Sequence, residues 1–381
     1  MRWSIRYTVS FLISRRDSSF FAAQVVQPSV QYLWTFQNRT VFARNVSCLA
    51  WNSLAPDLLA VGYGEFDFSN QRDGIVACWS LKNPDHPEWS CVTSSGVTTL
   101  DFSSKKQNLL AVGLYDGTVS VYNIHTHLKS AHLQSEYGKS GKHSEPVSKL
   151  CWIESGPDKD ENVVSVSTDG RVTRWSLKKG LEYTDLMRLK PVQNKVSSPS
   201  DPRITLRGSG TSLSFSSHES VFYTVGSEDG LLHLCSTLQA DQYLETFSGH
   251  NGPIRQVCWS PCEKDAFISA SADGTIKLWS CKCAKPVCTF QSGYEEVTGV
   301  SWSPIKSTVF ASSTLDGRLE IWDYSLSSLK PWITATFPGV KLTCVSFSKT
   351  ASIVVAGSSD GNVYVFRISA LDSAVCGAKR G

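Results

Sequence analysis

The chain has 381 residues, a formal charge of +3, 41% apolar and only 19% charged side chains. That is enough core for two or three ordinary domains or for one large all-β domain. The basic residues form no block of like charges and leave no nucleic-acid groove, and no apolar run approaches the about 18 residues that cross a bilayer, so neither nucleic acid nor membrane is an expected partner.

Residues 1–26 begin "MRWSIRYTVSFLISRRDSSFFAAQ", rich in Arg and Ser, with no acid before Asp17. This is a loose fit to a mitochondrial presequence, and "YTVSFLI" is too short and polar for a secretory signal. We read 1–26 as a disordered segment ahead of the folded domain. At 31–36 stands "QYLWTF", which returns with one letter changed as "QYLETF" at 242–247.

From there one unit of three segments recurs seven times. The first segments are "VSCLAW", "VTTLDF", "VSKLCW", "TSLSF", "IRQVCW", "VTGVSW" and "LTCVSF". A short apolar run such as "LLAVG", "FISAS" or "IVVAG" follows each. Then comes an Asp-Gly pair and an alternating run ending in an aromatic or its stand-in: "DGIVACW", "DGTVSVY", "DGRVTRW", "DGLLHLC", "DGTIKLW", "DGRLEIW" and "DGNVYVF". The pairs open at Asp73, Asp116, Asp169, Asp229, Asp273, Asp316 and Asp360, spaced 43, 53, 60, 44, 43 and 44 residues apart. Period-two alternation makes each segment a strand, and Asp-Gly between two strands is a hairpin signal because Gly accepts positive φ. A sheet apolar on both faces cannot stand alone, and radial stacking at this period is the propeller signature. The sequence therefore predicts an all-β, seven-bladed propeller over 27–369, with a tail at 370–381.

Each blade needs an outer strand after its third. "QYLETF" supplies it for blade four, "KPVCTFQ" for blade five and "KPWITATF" for blade six. Blade seven is followed only by "SALDSAVCGAKRG", a poor strand. "QYLWTF" is therefore predicted to come round from the amino-terminal side and close the ring.

Sequences that suggest chemistry lack its context. "GSSDG" (357–361) fits a nucleophile elbow, but a strand follows where a helix is needed. "GKS" (138–140) has Leu133 where a phosphate loop requires Gly. "NRT" (38–40) and "NVS" (45–47) match the glycosylation pattern, which matters only on secretion. Twelve cysteines in a chain of this size, several in buried alternating runs, fit a reducing compartment. Cys281, Cys283 and Cys288 lack the paired spacing of structural zinc. No catalytic, cofactor or metal residue is expected.

The unit resembles the WD repeat. In that family a His, the turn Asp, a strand Ser or Thr and the Trp form a buried hydrogen-bond network. The resemblance carries these roles to His250, Asp273 and Trp279 in blade five, with Ser269 or Ser271, and to His143, Asp169 and Trp175 in blade three. The remaining blades lack the His, so their networks are expected to be incomplete.

Longer blocks are more specific. "LLAVGYGEFDF…GIVACWSLKNP", "LLAVGLYDGTVSVYNI", "KSGKHSEPV" and "SVSTDGRVTRWSLKKGL" resemble the intermediate chains of axonemal dynein, of inner-arm type, over roughly residues 27 to 368. The resemblance implies a non-catalytic subunit of cytoplasm, cytoskeleton and ciliary or flagellar axoneme. Its propeller would dock on the tail of a dynein heavy chain, which hydrolyses the ATP, beside a possible second intermediate chain. The family carries a long region before the propeller, where this chain places only about 30 residues; light-chain binding is not carried over. A general scaffold, for instance a substrate adaptor of a ubiquitin ligase, stays open as the alternative. Candidate partner contacts are Tyr63, Phe66, Phe68 and Trp89 in the inserts at 62–74 and 80–89, with Tyr183 and Met187 further on. The polar stretch 192–203 reads as an excursion between blades three and four.

Overall fold

Strands of alternating Val, Ile, Leu and Cys with Ser and Thr bury both faces of a sheet, so each sheet needs a neighbour on either side. A computed structural model, which describes residues 29–37, 44–65, 72–126, 130–135, 141–155, 160–178, 180–190, 208–369 and 371, meets that need with a ring. Among the described residues, 28 strands form seven antiparallel four-stranded sheets. The segment 1–26, the stretch 192–203, the tail apart from Leu371, and Phe66 and Phe68 lie outside the described residues.

The chain enters on β1 (Val30–Phe36). Blade one is β2 (Asn45–Trp51), β3 (Leu58–Gly64), β4 (Gly74–Ser80) and β5 (Trp89–Thr93). Blade two is β6 (Val97–Phe102), β7 (Leu109–Leu114), β8 (Val119–Asn123) and the two-residue β9 (Leu133–Gln134). Blade three is β10 (Val147–Ser155), β11 (Asp160–Ser167), β12 (Arg171–Ser176) and β13 (Glu182–Arg188). Blade four is β14 (Gly210–Phe215), β15 (Phe222–Ser227), β16 (Leu232–Ser236) and β17 (Gln239–Phe247). Blade five is β18 (Ile254–Trp259), β19 (Ala266–Ser271), β20 (Ile276–Ser280) and β21 (Cys283–Phe290). Blade six is β22 (Val297–Trp302), β23 (Val309–Thr314), β24 (Arg318–Asp323) and β25 (Ile333–Thr336). Blade seven is β26 (Leu342–Phe347), β27 (Ile353–Ser358) and β28 (Val363–Ile368), completed by β1.

β1 pairs antiparallel with β28, from Val30 opposite Ile368 to Phe36 opposite Val363. The recurring hexapeptide now has a packing reason. Phe36, wholly buried, lies 5.1 Å from the indole of Trp79 in blade one. Phe247 at the end of β17 meets Trp279 of blade five at 5.7 Å, and Phe290 at the end of β21 meets Trp322 of blade six at 5.5 Å. The last Phe of an outer strand thus plugs the gap beneath the Trp of the next blade. The core is correspondingly divided into clusters shared by neighbouring blades, such as Val119, Val147, Leu150 and Trp175 between blades two and three.

Innermost strands are tied laterally as well. Thr99, Ser212 and Gln256 each accept a backbone N–H from the next blade, those of Leu150, Val257 and Val300. Asp101, Ser214 and Ser301 do the same for Trp152, Trp259 and Phe347. Between blades seven and one the equivalent of Thr99 is Cys344, and the tie there is Thr343, whose hydroxyl donates to the carbonyl of Val46 at 2.5 Å as those of Thr98, Ser148 and Thr298 donate to Val147, Gly210 and Leu342.

Six of the seven Asp-Gly pairs form the expected turn, with the glycine φ between 79° and 84°. Asp73 departs from it. β3 and β4 separate beyond the Tyr63–Ile75 pair, Gly74 already belongs to β4, and a long connection leaves no tight turn to cap. Asp73 instead holds Arg44, whose Nη2 donates to Oδ1 at 3.0 Å.

Candidate functional site

Blades three and five carry matched relays. Trp175 Nε1 donates to Ser165 Oγ at 2.8 Å, Ser165 Oγ and His143 Nε2 share a hydrogen bond of 2.8 Å, and His143 Nδ1 donates to Asp169 Oδ2 at 3.0 Å. In blade five Trp279 reaches Ser269 at 2.8 Å, Ser269 reaches His250 at 2.7 Å, and His250 reaches Asp273 at 3.1 Å. Ser269 is thus the network hydroxyl, while Ser271 donates to the carbonyl of Gly252 and accepts the N–H of Asp273.

Electrostatics lock the turn ends. Burial alone would raise the Asp169 carboxyl, but the hydrogen bond and charge of His143, with the N–H groups of Arg171 and Ser144, hold it below the usual range. Asp273 is likewise depressed: His250, Thr275 and two backbone N–H groups outweigh its burial. The relays share the Ser-His-Asp order of a hydrolytic triad. Yet Ser165, Ser269 and His143 are sealed from solvent, and each Ser oxygen is already engaged by an indole. A nucleophile so placed meets no substrate; these residues brace the ring.

Where the His is missing the bracing changes. Blade six keeps Trp322 donating to Ser312 at 3.0 Å, and buried Glu320 accepts from Ser292 at 2.5 Å and Arg318 at 2.8 Å. Asp116 of blade two pairs with Lys142 at 3.1 Å, reached from the connection into blade three. Asp316 binds Arg318, and Asp360 binds Asn362. Asp229 is exposed, and Leu231 N–H turns to Ser227 in its place. In blade one the Trp79 indole and the buried Tyr63 hydroxyl interact with each other, with no further hydrogen bond to either among the described residues.

The expected contact residues divide sharply. Tyr63 is wholly buried among Phe36, Val46 and Trp79, because β3 runs through it to Gly64. Met187, 1% exposed, is sandwiched between blades three and four. Neither can touch a partner, which corrects that expectation. Trp89 is half-buried and packs edge-on against Tyr122 at 5.9 Å, across to blade two. Tyr183 does face solvent, beside Arg171. Sequence reasoning passed over Tyr294, 93% exposed on the connection into blade six; a lone aromatic between glycine and two glutamates carries no periodic signal.

Burial pushes the Cys48 thiol up to about 11 and those of Cys235 and Cys344 to about 12, as expected of small core hydrophobes. Cys281, Cys283 and Cys288 line the β20–β21 hairpin, and among the described residues no group of three or more potential ligands converges as a metal site would.

The model of the WD domain, G-beta repeat family matches residues 86–123, 241–280, 284–323 and 333–367. Dynein axonemal intermediate chain 4 of Danio rerio is 42% identical over 348 residues, which is 90% of this chain and 44% of that one. The protein of the same name from Homo sapiens is 39% identical, over 90% of this chain and 42% of its own length. Dynein axonemal intermediate chain 1 of Rattus norvegicus is 37% identical over 65% of this chain and 35% of its own. The chain spans less than half the length of these relatives.

Proposed function

The chain belongs to the family of WD-repeat dynein intermediate chains, and from that premise we propose that it is a non-catalytic subunit of an axonemal dynein, of inner-arm type. Its propeller docks on the tail of a heavy chain and supports arm assembly and ciliary or flagellar motility, with a second intermediate chain as a possible neighbour in the complex. The observation that carries this reading is the match to axonemal intermediate chains across 90% of the chain. A closed ring suits such work physically. Its loops are held by paired strands before any partner arrives, so little ordering entropy is lost on docking.

The test is retention of heavy-chain tails by immobilised residues 27–381, with inner-arm and outer-arm tails offered separately. Selective retention of inner-arm tails is the expected result. Retention of outer-arm tails alone would overturn the inner-arm assignment, and retention of none would overturn the docking itself.

A further inference from the structure

The central channel opens, at the end of the ring where the Asp-Gly turns lie, into a mouth of about 400 Å³. The second residue of the innermost strand stands on its wall in several blades. In four of them it is Thr98, Ser148, Thr298 or Thr343. Each gives its hydroxyl proton to a carbonyl of the next blade, that of Val147, Gly210, Leu342 or Val46, at 2.5, 2.7, 2.9 and 2.5 Å. A hydroxyl has one proton and two lone pairs, so these oxygens can only accept from whatever enters the channel.

Glu65 and Glu296 add carboxylates to the same wall. Arg255 takes the place of the hydroxyl in blade five, and its Nε pairs with Glu296 at 2.5 Å. The pair of Glu65 with the exposed Arg72 is stretched to 4.0 Å. Asn45 and Tyr115, which also border the mouth, are partnered already. Further down the channel burial raises the Asp101 carboxyl, and the charges of Lys349 and of Lys149, one residue below Ser148, act against that rise. Lys149 therefore stops a cation from passing below the hydroxyl ring.

The surrounding face has acid to spare. Glu145, Glu228, Asp229, Glu295 and Asp360 are exposed there and make no ion pair among the described residues, while the bases in the same condition are Lys190 and Lys341. Tyr294, 93% exposed, stands two residues before Glu296 and offers a ring face at the rim on which a guanidinium can rest.

We propose that this mouth is a docking site for a basic polypeptide segment, one of whose Arg or Lys heads enters the channel as far as the hydroxyl ring. Such a head carries donors alone, which a wall of acceptors lacks. The acids spread from the connection into blade three round to blade seven receive further cations of the same segment, which favours a peptide over a single small cation. The site does not rest on heavy-chain docking, and either can fail without the other.

The test is fluorescence anisotropy at low salt with labelled peptides of equal length: oligoarginine, oligoglutamate and neutral Gly-Ser. The full chain is expected to bind oligoarginine alone, with affinity falling as salt rises. Ser47 holds in blade one the place that Arg255 holds in blade five, so Ser47→Arg sets a tethered cation in the mouth at a position where the ring already accepts one. It should weaken oligoarginine by about tenfold or more, while Asp85→Lys on the opposite face, a larger change of charge, should alter it less than about twofold. Glu295→Lys, at an exposed side chain on the rim, should also weaken binding and keeps the test decisive if Ser47→Arg does not fold. Absence of oligoarginine binding, equal or tighter binding of oligoglutamate, undiminished affinity in a folded Ser47→Arg chain, or a loss from Asp85→Lys that matches that from Glu295→Lys would each overturn the proposal.

Discussion

Replacing Phe36 by Ala tests whether β1 is a structural member of the ring. Its ring is fully buried against Trp79, and excising it removes apolar contact and leaves a cavity at the blade seven–blade one boundary. Such a truncation costs about 3–5 kcal/mol. Unfolding entropy of about 2.1 cal/mol/K per residue makes 1 kcal/mol worth roughly 1.3 °C in a domain of this size, so Tm should drop by about 4–6 °C. Because Phe247 fills the same gap one blade boundary after another, Phe247→Ala should lose a similar amount. Tyr32→Ala on the same strand, with a side chain 43% exposed, should lose much less. Urea unfolding and thermal melts of the three variants decide the matter, backed by two truncations. Removing residues 1–24 should be mild, and removing 1–37 should be severe. The closure is refuted if Phe36→Ala melts within about 1 °C of the parent, or if both truncations are equally stable.

Ser269→Ala should cost about 2–3 kcal/mol, since it leaves the Trp279 N–H and His250 Nε2 buried and unpaired, whereas Ser348→Ala removes a hydroxyl with no partner among the described residues and should be close to neutral in urea titrations. Burial holds His233 down to about 4, and the ring stacks on Tyr243 at 4.1 Å. The unfolded chain takes up this proton below about 6.5, so the contribution of His233 is whole above that pH and is lost as pH falls toward 4, roughly 2 kcal/mol by pH 5. His233→Phe should flatten the stability difference between pH 7 and pH 5, and an unchanged slope would place the titration elsewhere. Gly170→Ala combines φ 79° with a Cβ 2.3 Å from the Gly208 carbonyl, and should destabilise well beyond Gly339→Ala, which has the same φ but open space; equal melting temperatures would contradict this.

Much of the ring was legible because each blade repeats one solution to one problem. Asp-Gly followed by alternation and Trp marks a hairpin whose second strand packs against the next sheet, and seven copies imply a circle. The hexapeptide revealed the closing strand because Phe36 and Phe247 must fill the same hole. The bracing networks were legible where both His and Trp persist, at His143 and His250. What failed was the side of a strand on which an aromatic falls. "GYGEF" reads as loop, but β3 extends through Tyr63 and pairs it with Val46, turning it inward. At Met187 an irregularity between Val172 and Thr173 shifts the register of β13, which counting by twos cannot anticipate. Blade six shows the same limit in its chemistry. Glu320 takes up a bracing role through Ser292 and Arg318, partners brought together only by the closed turn.

The pairing of β1 with β28 has a mechanical consequence. Because the two strands run antiparallel along their full length, a pull on Val30 directed along the strand axis loads all the rungs from Ile368 to Val363 in shear at once. The same pull directed outward from the disc peels them one at a time, beginning at Val30. The joint therefore resists tension along the strand far better than tension across it, and the angle at which load reaches Ser29 determines how much of it the ring can bear.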